Sequence, residues 1–436
     1  VSEKGYPYVQ VSGELTLNED QTKAEVVYRV QQNGYVEKGN TFYAGNFRTR
    51  EKIFDQELIM KPGDPFSLKK MTEGQKNIRS MNIFRSVAFY PVGLKEEAET
   101  IHLFTEVEEE KPFYFEVTGG YDSEKGLYTT STIGDRNFLG SNKDFKIGGE
   151  LSKTGYKGES RLFEPRFMGT RVSADSGVHF ERTEPFNQKF GVKSKGTDVQ
   201  FSRKWKKQTR LGLGFDLEKR EQYRRNSNVD KDDVYDPRTI LVVTPSIRFD
   251  SRDNFLNPKE GIFCLFGVGV SKGIKDSSDN FFKPRTDFRA YITPLDRLTL
   301  AGRGSVGKII RYGSKSKIPD DQLFYLGGTN SVRGFKENEL LVDHDNDPVG
   351  GKQMFLGNAE ARIDLGSNFE LSFFYDMGYL NDTKDKERSG NVRSSAGIGF
   401  RYVTPVGAVG LAYGHKLNPQ SYESTGRFHF SIGYTF

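Results

Sequence analysis

The C-terminal end of the chain alternates between apolar and polar side chains. The apolar positions are Phe428, Phe430, Ile432, Tyr434 and Phe436, and the polar or small ones are His429, Ser431, Gly433 and Thr435. A period of two predicts a β-strand with one apolar face and one polar face. Aromatic residues at both ends of the apolar face are typical of a strand in a membrane barrel. The edge strand of a soluble sandwich would show the same period and remains the alternative for this segment alone.

The same period recurs in sixteen segments, which begin near residues 113, 126, 143, 157, 171, 189, 208, 239, 261, 281, 297, 354, 369, 393, 407 and 427. In residues 286–292, for example, Phe288 and Ala290 share one face while Asp287 and Arg289 share the other. A lipid environment tolerates only helices and closed barrels, because every backbone polar group must be paired within the protein. The pattern therefore predicts a transmembrane all-β barrel of sixteen antiparallel strands over residues 112–436.

The predicted connections alternate in length along this barrel. Residues 206–207, 293–296 and 404–406 are tight turns, whereas residues 223–238, 307–353 and 379–391 are long. Outer-membrane barrels have short periplasmic turns and long external loops. We therefore predict that the long loops start on the side opposite the N-terminus. Because the number of strands is even, both ends of the barrel should face the periplasm.

The longest connection, residues 307–353, has no convincing strand but contains the sequence Leu326–Phe335, rich in glycine. Its notable positions are Gly327, Gly328, Val332, Arg333, Gly334 and Phe335. A long connection in a compact fold is usually functional or disordered, and an arginine between apolar neighbours suits a folded-back loop. We predict that the loop enters the barrel and that Arg333 pairs there with a carboxylate. Asp376 is the first candidate partner and Glu360 the second; a solvated loop tip is the alternative.

The N-terminal part follows a different pattern. Residues 35–111 predict an α+β module in the order strand, helix, helix, strand, strand. Thr49 is the predicted N-cap of a first helix that carries Ile53, Phe54, Leu58 and Ile59, and Ser67 the cap of a second helix through Asn82. Strands follow over residues 83–90 and 100–107. Residues 1–34 hold two predicted strands, 6–17 and 23–31, and are interpreted as the last part of a preceding module.

Composition adds little to these predictions. The mean hydropathy of −0.65 and the 28% of charged residues look soluble, which agrees with a barrel whose inner face is polar. The net charge of +5 could favour contact with anionic lipid or lipopolysaccharide, although a solvated surface explains it equally. The single cysteine, Cys264, excludes an internal disulfide. Neither a nucleophile–base pair nor Cys/His metal spacing nor a phosphate-binding glycine loop is found, so we expect no enzyme activity, no cofactor, no metal and no nucleic-acid partner.

Several motifs carry a family resemblance that covers essentially the whole chain. In chain order they are Gly45-Asn46 with Thr49, residues 61–66, Phe84-Arg85-Ser86-Val87, Asp250 to Asn254 with Pro258 and Gly261, the 327–335 sequence, Phe374 to Gly378, Ser395 to Gly399, residues 405–407 and the terminal Phe436. Together they resemble the BamA/TamA family of barrel-assembly proteins, which also includes two-partner secretion transporters and organellar relatives. The resemblance implies that residues 35–111 are the membrane-proximal POTRA domain and residues 1–34 the remnant of another. It also implies that Asp250, Arg252, Asp253, Asn254, Pro258 and Gly261 form the family's mid-barrel turn.

The resemblance further implies a function. Family members fold and insert nascent outer-membrane β-barrel proteins through a seam between the first and last strands, without ATP. The expected partners are such client proteins, periplasmic chaperones, assembly lipoproteins and the lipid bilayer, with the barrel in a bacterial outer membrane and POTRA in the periplasm. The predicted gate residues are Phe113, Phe115, Gly119, Gly120, Gly433 and Phe436. A polypeptide-translocating pore of the two-partner secretion or organellar import type is the alternative, and a passive porin is a third interpretation.

Overall fold

The chain forms two compact units. The computed structural model describes residues 2–122, 126–225, 237–275, 277–314, 316–381, 390–404 and 407–432, to which every count below refers. One unit contains Val1–Tyr114 with Gly134–Phe145, and the other contains Phe115–Ile133 with Lys146–Phe436. No helix in the described ranges is both long and apolar enough to cross a bilayer.

The first unit contains five strands and two α-helices: β1 (Gln10–Leu17), β2 (Ala24–Gln31), β3 (Glu37–Ala44), α1 (Glu51–Asp55), α2 (Leu68–Arg79), β4 (Phe84–Val92) and β5 (Thr100–Glu109). Strands β1 and β2 form a separate antiparallel pair. In the other sheet β5 lies between β3, to which it is parallel, and β4, to which it is antiparallel. Helices α1 and α2 cover this sheet because Phe54 and Ile78 are buried against Val87 and Val107.

The start of this unit's first helix differs from the prediction. Helix α1 begins at Glu51, and the Arg50 that precedes it provides no side-chain cap. The Thr49 hydroxyl instead donates to Glu109 Oε1 at 2.5 Å and accepts from Asn137 Nδ2 at 2.8 Å. The predicted cap was wrong because a long-range carboxylate competes for the same hydroxyl. Ser67 does cap α2, since its side chain accepts from the backbone amide of Lys70.

Sixteen long strands and one two-residue strand form a closed barrel. They are β6 (Phe113–Asp122), β7 (Gly126–Asp135), β8 (Asp144–Ser152), β9 (Gly155–Glu164), β10 (Val172–Thr183), β11 (Phe190–Lys206), β12 (Thr209–Arg224), β13 (Arg238–Asp250), β14 (Gly261–Ile274), β15 (Phe281–Leu295), β16 (Leu298–Lys308), the short β17 (Ile310–Arg311), β18 (Gln353–Gly366), β19 (Phe369–Asn381), β20 (Arg393–Thr404), β21 (Gly407–Lys416) and β22 (Gly426–Ile432). Sequential long strands pair, and β22 neighbours β6. The predicted sixteen-stranded barrel is confirmed.

The two faces of the strands separate by polarity, as the alternation predicts. On β19 the side chains of Phe373 and Tyr375 are exposed on the outward face, whereas Glu370, Ser372 and Asp376 are buried. On β22 the aromatic residues Phe428 and Phe430 are exposed and His429 is buried between them. The outer face is therefore apolar, and charged side chains line the interior.

The connection between β16 and β18 contains little regular structure. It holds β17, a single 3₁₀ turn at Asp320–Gln322 and isolated bridges that join Phe324 to Gly351 and Val342 to Pro348. Most of its order must therefore come from contacts with the barrel wall.

Candidate functional site: the loop motif inside the barrel

The 309–352 loop, named here the inner loop, supplies most of the apolar core of the barrel unit. Its residues Phe324, Leu326, Val332, Phe335 and Leu340 are buried. They cluster with residues of the strands that flank the loop, namely Phe281, Met354, Leu356 and Leu380. Burial of these apolar side chains removes them from water and so favours the docked position of the loop. The inner loop is thus folded into the barrel interior.

Arg333 is the most buried charged residue among the described part of the inner loop. Its Nε and Nη2 donate to Asp376 Oδ2 and Oδ1 at 2.7 and 2.8 Å, and its backbone amide donates to Asp376 Oδ2 at 3.0 Å. Its Nη1 donates to Glu360 Oε2 at 2.6 Å. All three side chains are at most 1% exposed. The structure thus brings Arg333 together with both carboxylates named from the sequence, in a bidentate geometry that gives strong charge-assisted bonds.

Two further side chains fix Asp376 and Arg333. Asn358 on β18 donates through Nδ2 to Asp376 Oδ1 at 2.8 Å and to the Ser331 carbonyl at 2.7 Å. The ring of Phe374 on β19 lies 3.5 Å from the Arg333 guanidinium carbon. A guanidinium over an aromatic face gains electrostatic attraction where water is excluded. The pocket that holds the Arg333 side chain is therefore lined by carboxylates on one side and by an aromatic ring on another.

Glu360 also connects Arg333 to the wall beyond β19. Its Oε1 accepts from Arg401 Nη1 at 2.6 Å and from Arg362 Nε at 2.9 Å, and Arg401 Nη1 also donates to Glu370 Oε1 at 2.9 Å. The cluster therefore balances three arginines against Glu360, Asp376 and Glu370. A charge buried without a partner costs several kcal/mol, so a balanced cluster is the form in which these groups can be buried together.

The glycine of the motif lies where a side chain would not fit. Gly334 has φ of +91°, a region that L side chains rarely adopt. Its amide donates to His429 Nε2 on β22 at 2.8 Å. A Cβ added to Gly414 on β21 would lie 2.5 Å from the Gly334 nitrogen, so the loop backbone rests directly on that strand. This close approach explains why glycine is needed on both sides.

Phe335 is enclosed by two cations of the wall. The Arg393 guanidinium carbon and the Lys416 Nζ lie 5.0 and 4.7 Å from its ring centre. Both cations are joined to Glu423, at 2.5 and 3.4 Å respectively. Together with Val332 in the apolar cluster, these contacts give each residue of Val332–Phe335 its own receptor on strands β18 to β22.

The first two glycines of the motif form the turn that precedes Val332–Phe335. Gly327 and Gly328 have φ of +111° and +100°. A Cβ on Gly327 would lie 2.4 Å from the carbonyl oxygen of Lys336. On the wall, a Cβ on Gly378 would meet Leu340 and Val332 at 2.7 and 2.8 Å. These glycines are therefore explained by close packing of the inner loop.

A second ion cluster fixes the inner loop to a different part of the wall. Asp321 accepts from Arg220 Nε on β12 and from Arg238 Nη2 on β13, both at 2.8 Å. Arg238 Nη1 donates in turn to Asp279 at 2.8 Å, and Arg220 Nη1 to Glu218 at 2.9 Å. Here the loop contributes the carboxylate and the wall the arginines, which is the reverse of the Arg333 arrangement. No local pattern in the sequence indicates this anchor.

The mid-barrel turn motif connects β13 to β14 and is closed largely by local hydrogen bonds. Asp250 accepts from Arg252 Nε at 2.9 Å, Asp253 from the amide of Lys259 at 3.0 Å, and Asn254 from the amide of Leu256 at 2.8 Å. Pro258 is buried. Gly261 has φ of +105°, and a Cβ there would lie 2.4 Å from the Ser251 carbonyl oxygen. Because these bonds are local, the motif acts as a structural turn.

The predicted gate residues lie on β6 and beyond β22. Phe113 and Phe115 have exposed side chains on β6. A Cβ on Gly120 would meet the Tyr128 ring at 2.8 Å, whereas one on Gly119 would meet only ordinary contacts. Gly120 therefore relieves crowding against β7. Gly433 and Phe436 lie outside the described residues. Across the seam, the rings of Tyr121 and Phe430 are 5.8 Å apart.

One acidic group has the spacing of a cation site. The ligand atoms of Asp343, Asp345 and Asp347 lie within 4.8 Å of one another. Lys189 already provides a positive charge there, since its Nζ contacts Asp347 and lies 3.8 Å from Asp343. The acidic group is explained by this ion pair, which joins the connection before β11 to the inner loop.

Sequence reasoning missed several members of the site. Phe374, Glu370 and Arg362 could have been found by parity, because they lie an even number of residues from Asp376 or Glu360 and so share the inward face. His429 has the same inward parity on β22. Asn358 lies two residues from Glu360 and has the same parity. Arg401 and Gly414 required knowledge of the strand register and of the strand positions that the inner loop crosses, and no local pattern contains that information.

Comparison with known proteins defines the class. The model of the Omp85 superfamily domain matches residues 137–436, so the chain belongs to the Omp85 superfamily. It is 24% identical over 99% of its length to the outer membrane protein assembly factor BamA of Nitratidesulfovibrio vulgaris, and 22% identical over 99% to that of Neisseria meningitidis. The barrel-assembly family recognised from the sequence is thereby confirmed. The chain spans 55% and 60% of the length of these two relatives.

Solved structures support the same fold. BamA from Haemophilus ducreyi lacking POTRA domains 1–3 matches with a TM-score of 0.81 at 17% identity, covering 99% of this chain and 91% of that one. CdiB from Acinetobacter baumannii matches less closely, with a TM-score of 0.58 at 15% identity over 99% of this chain and 79% of that one. The barrel thus has a fold that both kinds of protein use.

The Arg333 receptor predicts a large effect of removing its cation. We expect Arg333→Ala to destabilise the barrel by about 3–5 kcal/mol, because Asp376 would stay buried without a cation. The exchange Arg333→Asp with Asp376→Arg should restore part of this loss. Urea unfolding in vesicles and the heat-modifiable migration of the folded barrel on gels measure the effect. Lys336→Met, which removes an exposed cation of the same loop, is the control. Equal stability of Arg333→Ala and wild type would contradict the pairing.

The second anchor predicts an effect at the other end of the inner loop. Asp321→Ala should raise the single-channel conductance of the barrel in planar bilayers, because the loop segment near β12 and β13 loses its attachment. Asp345→Ala removes the same charge from an exposed position of the same loop and should leave the conductance unchanged. Identical conductance of the two variants would show that the Asp321 cluster does not hold the loop.

Proposed function

We propose that this protein is an outer-membrane protein assembly factor, which folds and inserts nascent β-barrel proteins. The observation that carries the proposal is the docking of Val332–Phe335 on strands β18 to β22, next to the junction of β22 with β6. A loop held there by a dense ion network can stabilise strands β18 to β21 while the junction of β22 with β6 opens. The relatives named as assembly factors support this proposal.

The driving force needs no nucleotide. In lipid, an unpaired strand edge leaves backbone amides and carbonyls without partners, at several kcal/mol per group. A client strand that pairs with the open edge of β6 or β22 removes this cost, and strand addition to an open edge is a known mode of recognition. The function proposed is therefore non-enzymatic and uses no cofactor.

The first unit would receive clients before insertion. Its strand–helix–helix–strand–strand order and its three-stranded sheet suit the POTRA domain that the family resemblance implies for residues 35–111. We place the barrel in a bacterial outer membrane with this unit in the periplasm, where chaperones and assembly lipoproteins would be its partners. The exposed apolar outer face would contact the lipid bilayer.

A polypeptide-translocating pore is the second candidate, because the family resemblance also includes two-partner secretion and organellar import proteins. Translocation would require the interior to admit a chain past the inner loop. The two ion clusters and the apolar core of the loop oppose this, since all three would have to be broken. Ion-conductance recording separates the two functions: a small, flickering conductance supports assembly and a large, steady one supports transport.

The seam predicts a reversible block of activity. The variant Glu116→Cys with Ser431→Cys, in a Cys264→Ser background, allows β6 to be joined to β22 by a bis-maleimide linker that contains a disulfide. Linking should stop the insertion of a client barrel into proteoliposomes and reduction of the linker should restore it, because the client needs the strand edge. Each single-cysteine variant controls for the modification itself. Full activity with the seam locked would mean that clients do not use this gate.

A further inference from the structure

We propose that His429 is a latch that couples the inner loop to the seam, so that β22 separates from β6 more easily when the latch is broken. The proposal rests on the seam mechanism of the proposed function and adds its regulation. His429 lies on β22, is 6% exposed, and has both ring nitrogens within bonding distance of the inner loop.

The chemistry of these contacts fixes the form of the ring. The Gly334 amide can only donate, so His429 Nε2, at 2.8 Å, must accept and carries no proton. The proton is therefore on Nδ1, which donates to the Thr329 hydroxyl at 3.2 Å. Setting the role of one ring nitrogen determines that of the other. A neutral, singly oriented imidazole thus joins two points of the inner loop to one position of the strand.

The place of this side chain gives it a mechanical role. Strand β22 neighbours β21 on one side and β6 on the other. Its register aligns His429 with Ala412, two residues from the Gly414 on which Gly334 rests. The inner loop therefore touches both β21 and β22 at this level. If β22 moved away from the loop, the two bonds of His429 would break, whereas the contact with β21 could remain.

A cavity beside the latch gives this movement room. It has a volume of about 260 Å³ and is lined by Tyr121 of β6, Thr329 of the inner loop, and Arg427, His429 and Phe430 of β22. Residues of the strands on both sides of the seam thus border the cavity beside the histidine. The inner loop and β22 are not close-packed there, so the bonds of His429 bridge them where apolar packing is thin.

Arg333 fixes the inner loop to the wall, and the fixed loop in turn restrains β22 through His429. Arg333 and Asp376 hold the loop to β18 and β19, and the adjacent Gly334 holds β22 through His429. The fixed loop restrains the last strand, and a client strand that displaces β22 would have to release His429 first. Because client and latch compete for the position of one strand, loss of the latch should favour the open seam.

The test measures seam opening directly, without any client. The protein is placed in phosphatidylcholine–phosphatidylglycerol vesicles with spin labels at Glu116→Cys and Ser431→Cys in the Cys264→Ser background, and the distance distribution is recorded by pulsed electron resonance. His429→Phe keeps an aromatic ring but removes the acceptor, and should raise the ratio of open to closed seam about tenfold, the loss expected for one or two hydrogen bonds. His429→Gln, which retains an acceptor oxygen, should remain within about threefold of wild type.

The outcomes separate the latch from the proposed function. Phe428→Leu, on the outward face of the same strand, controls for a general loss of strand stability. An unchanged distance distribution in His429→Phe, or equal opening in Phe428→Leu, overturns the latch whatever the activity. Increased opening in His429→Phe alone, with rescue by His429→Gln, supports it. If the seam opens as expected while locking the seam leaves client insertion unaffected, the latch holds and the seam mechanism of the proposed function fails.

Discussion

The fold of the barrel interior depends on one constraint: Arg333 is charged at every physiological pH and is removed from water. Such a group is tolerated only where several acceptors surround it, and Asp376 and Glu360 supply them from neighbouring strands. Glu360 then needs Arg362 and Arg401, and Arg401 needs Glu370. The requirement of one loop residue thus sets the side chains on three consecutive strands.

The same constraint explains the glycines. For the guanidinium to reach its carboxylates, the backbone of the inner loop must come against the wall itself. Gly334 resting on Gly414, and Val332 with Leu340 over Gly378, are the contacts at which any Cβ would hold the loop away. Electrostatics and close approach are therefore two parts of one arrangement, and neither is sufficient alone.

Much of the architecture is encoded in local sequence patterns and could be predicted from them. All sixteen long strands start within two residues of the positions expected from the alternation, because burial on one face of a sheet imposes a period of two. Arg333 was recognised because an arginine between apolar residues demands a partner. The role of Thr49 was mistaken and the Asp321 anchor overlooked for the opposite reason. Glu109 is distant in sequence from Thr49, and Arg220 is distant from Asp321. Each of these contacts follows from the tertiary fold and not from any neighbouring residue.

The central claim is that the ion pairs of Arg333 hold the inner loop as firmly as a strand. Hydrogen–deuterium exchange of the barrel in vesicles measures this directly. In the wild type, amides of residues 326–340 should exchange as slowly as those of β18 and β19. In Arg333→Met they should exchange faster while the strands stay protected, because the apolar contacts of the loop alone do not fix its backbone. Rapid exchange of residues 326–340 in the wild type, or unchanged protection in Arg333→Met, would contradict the account.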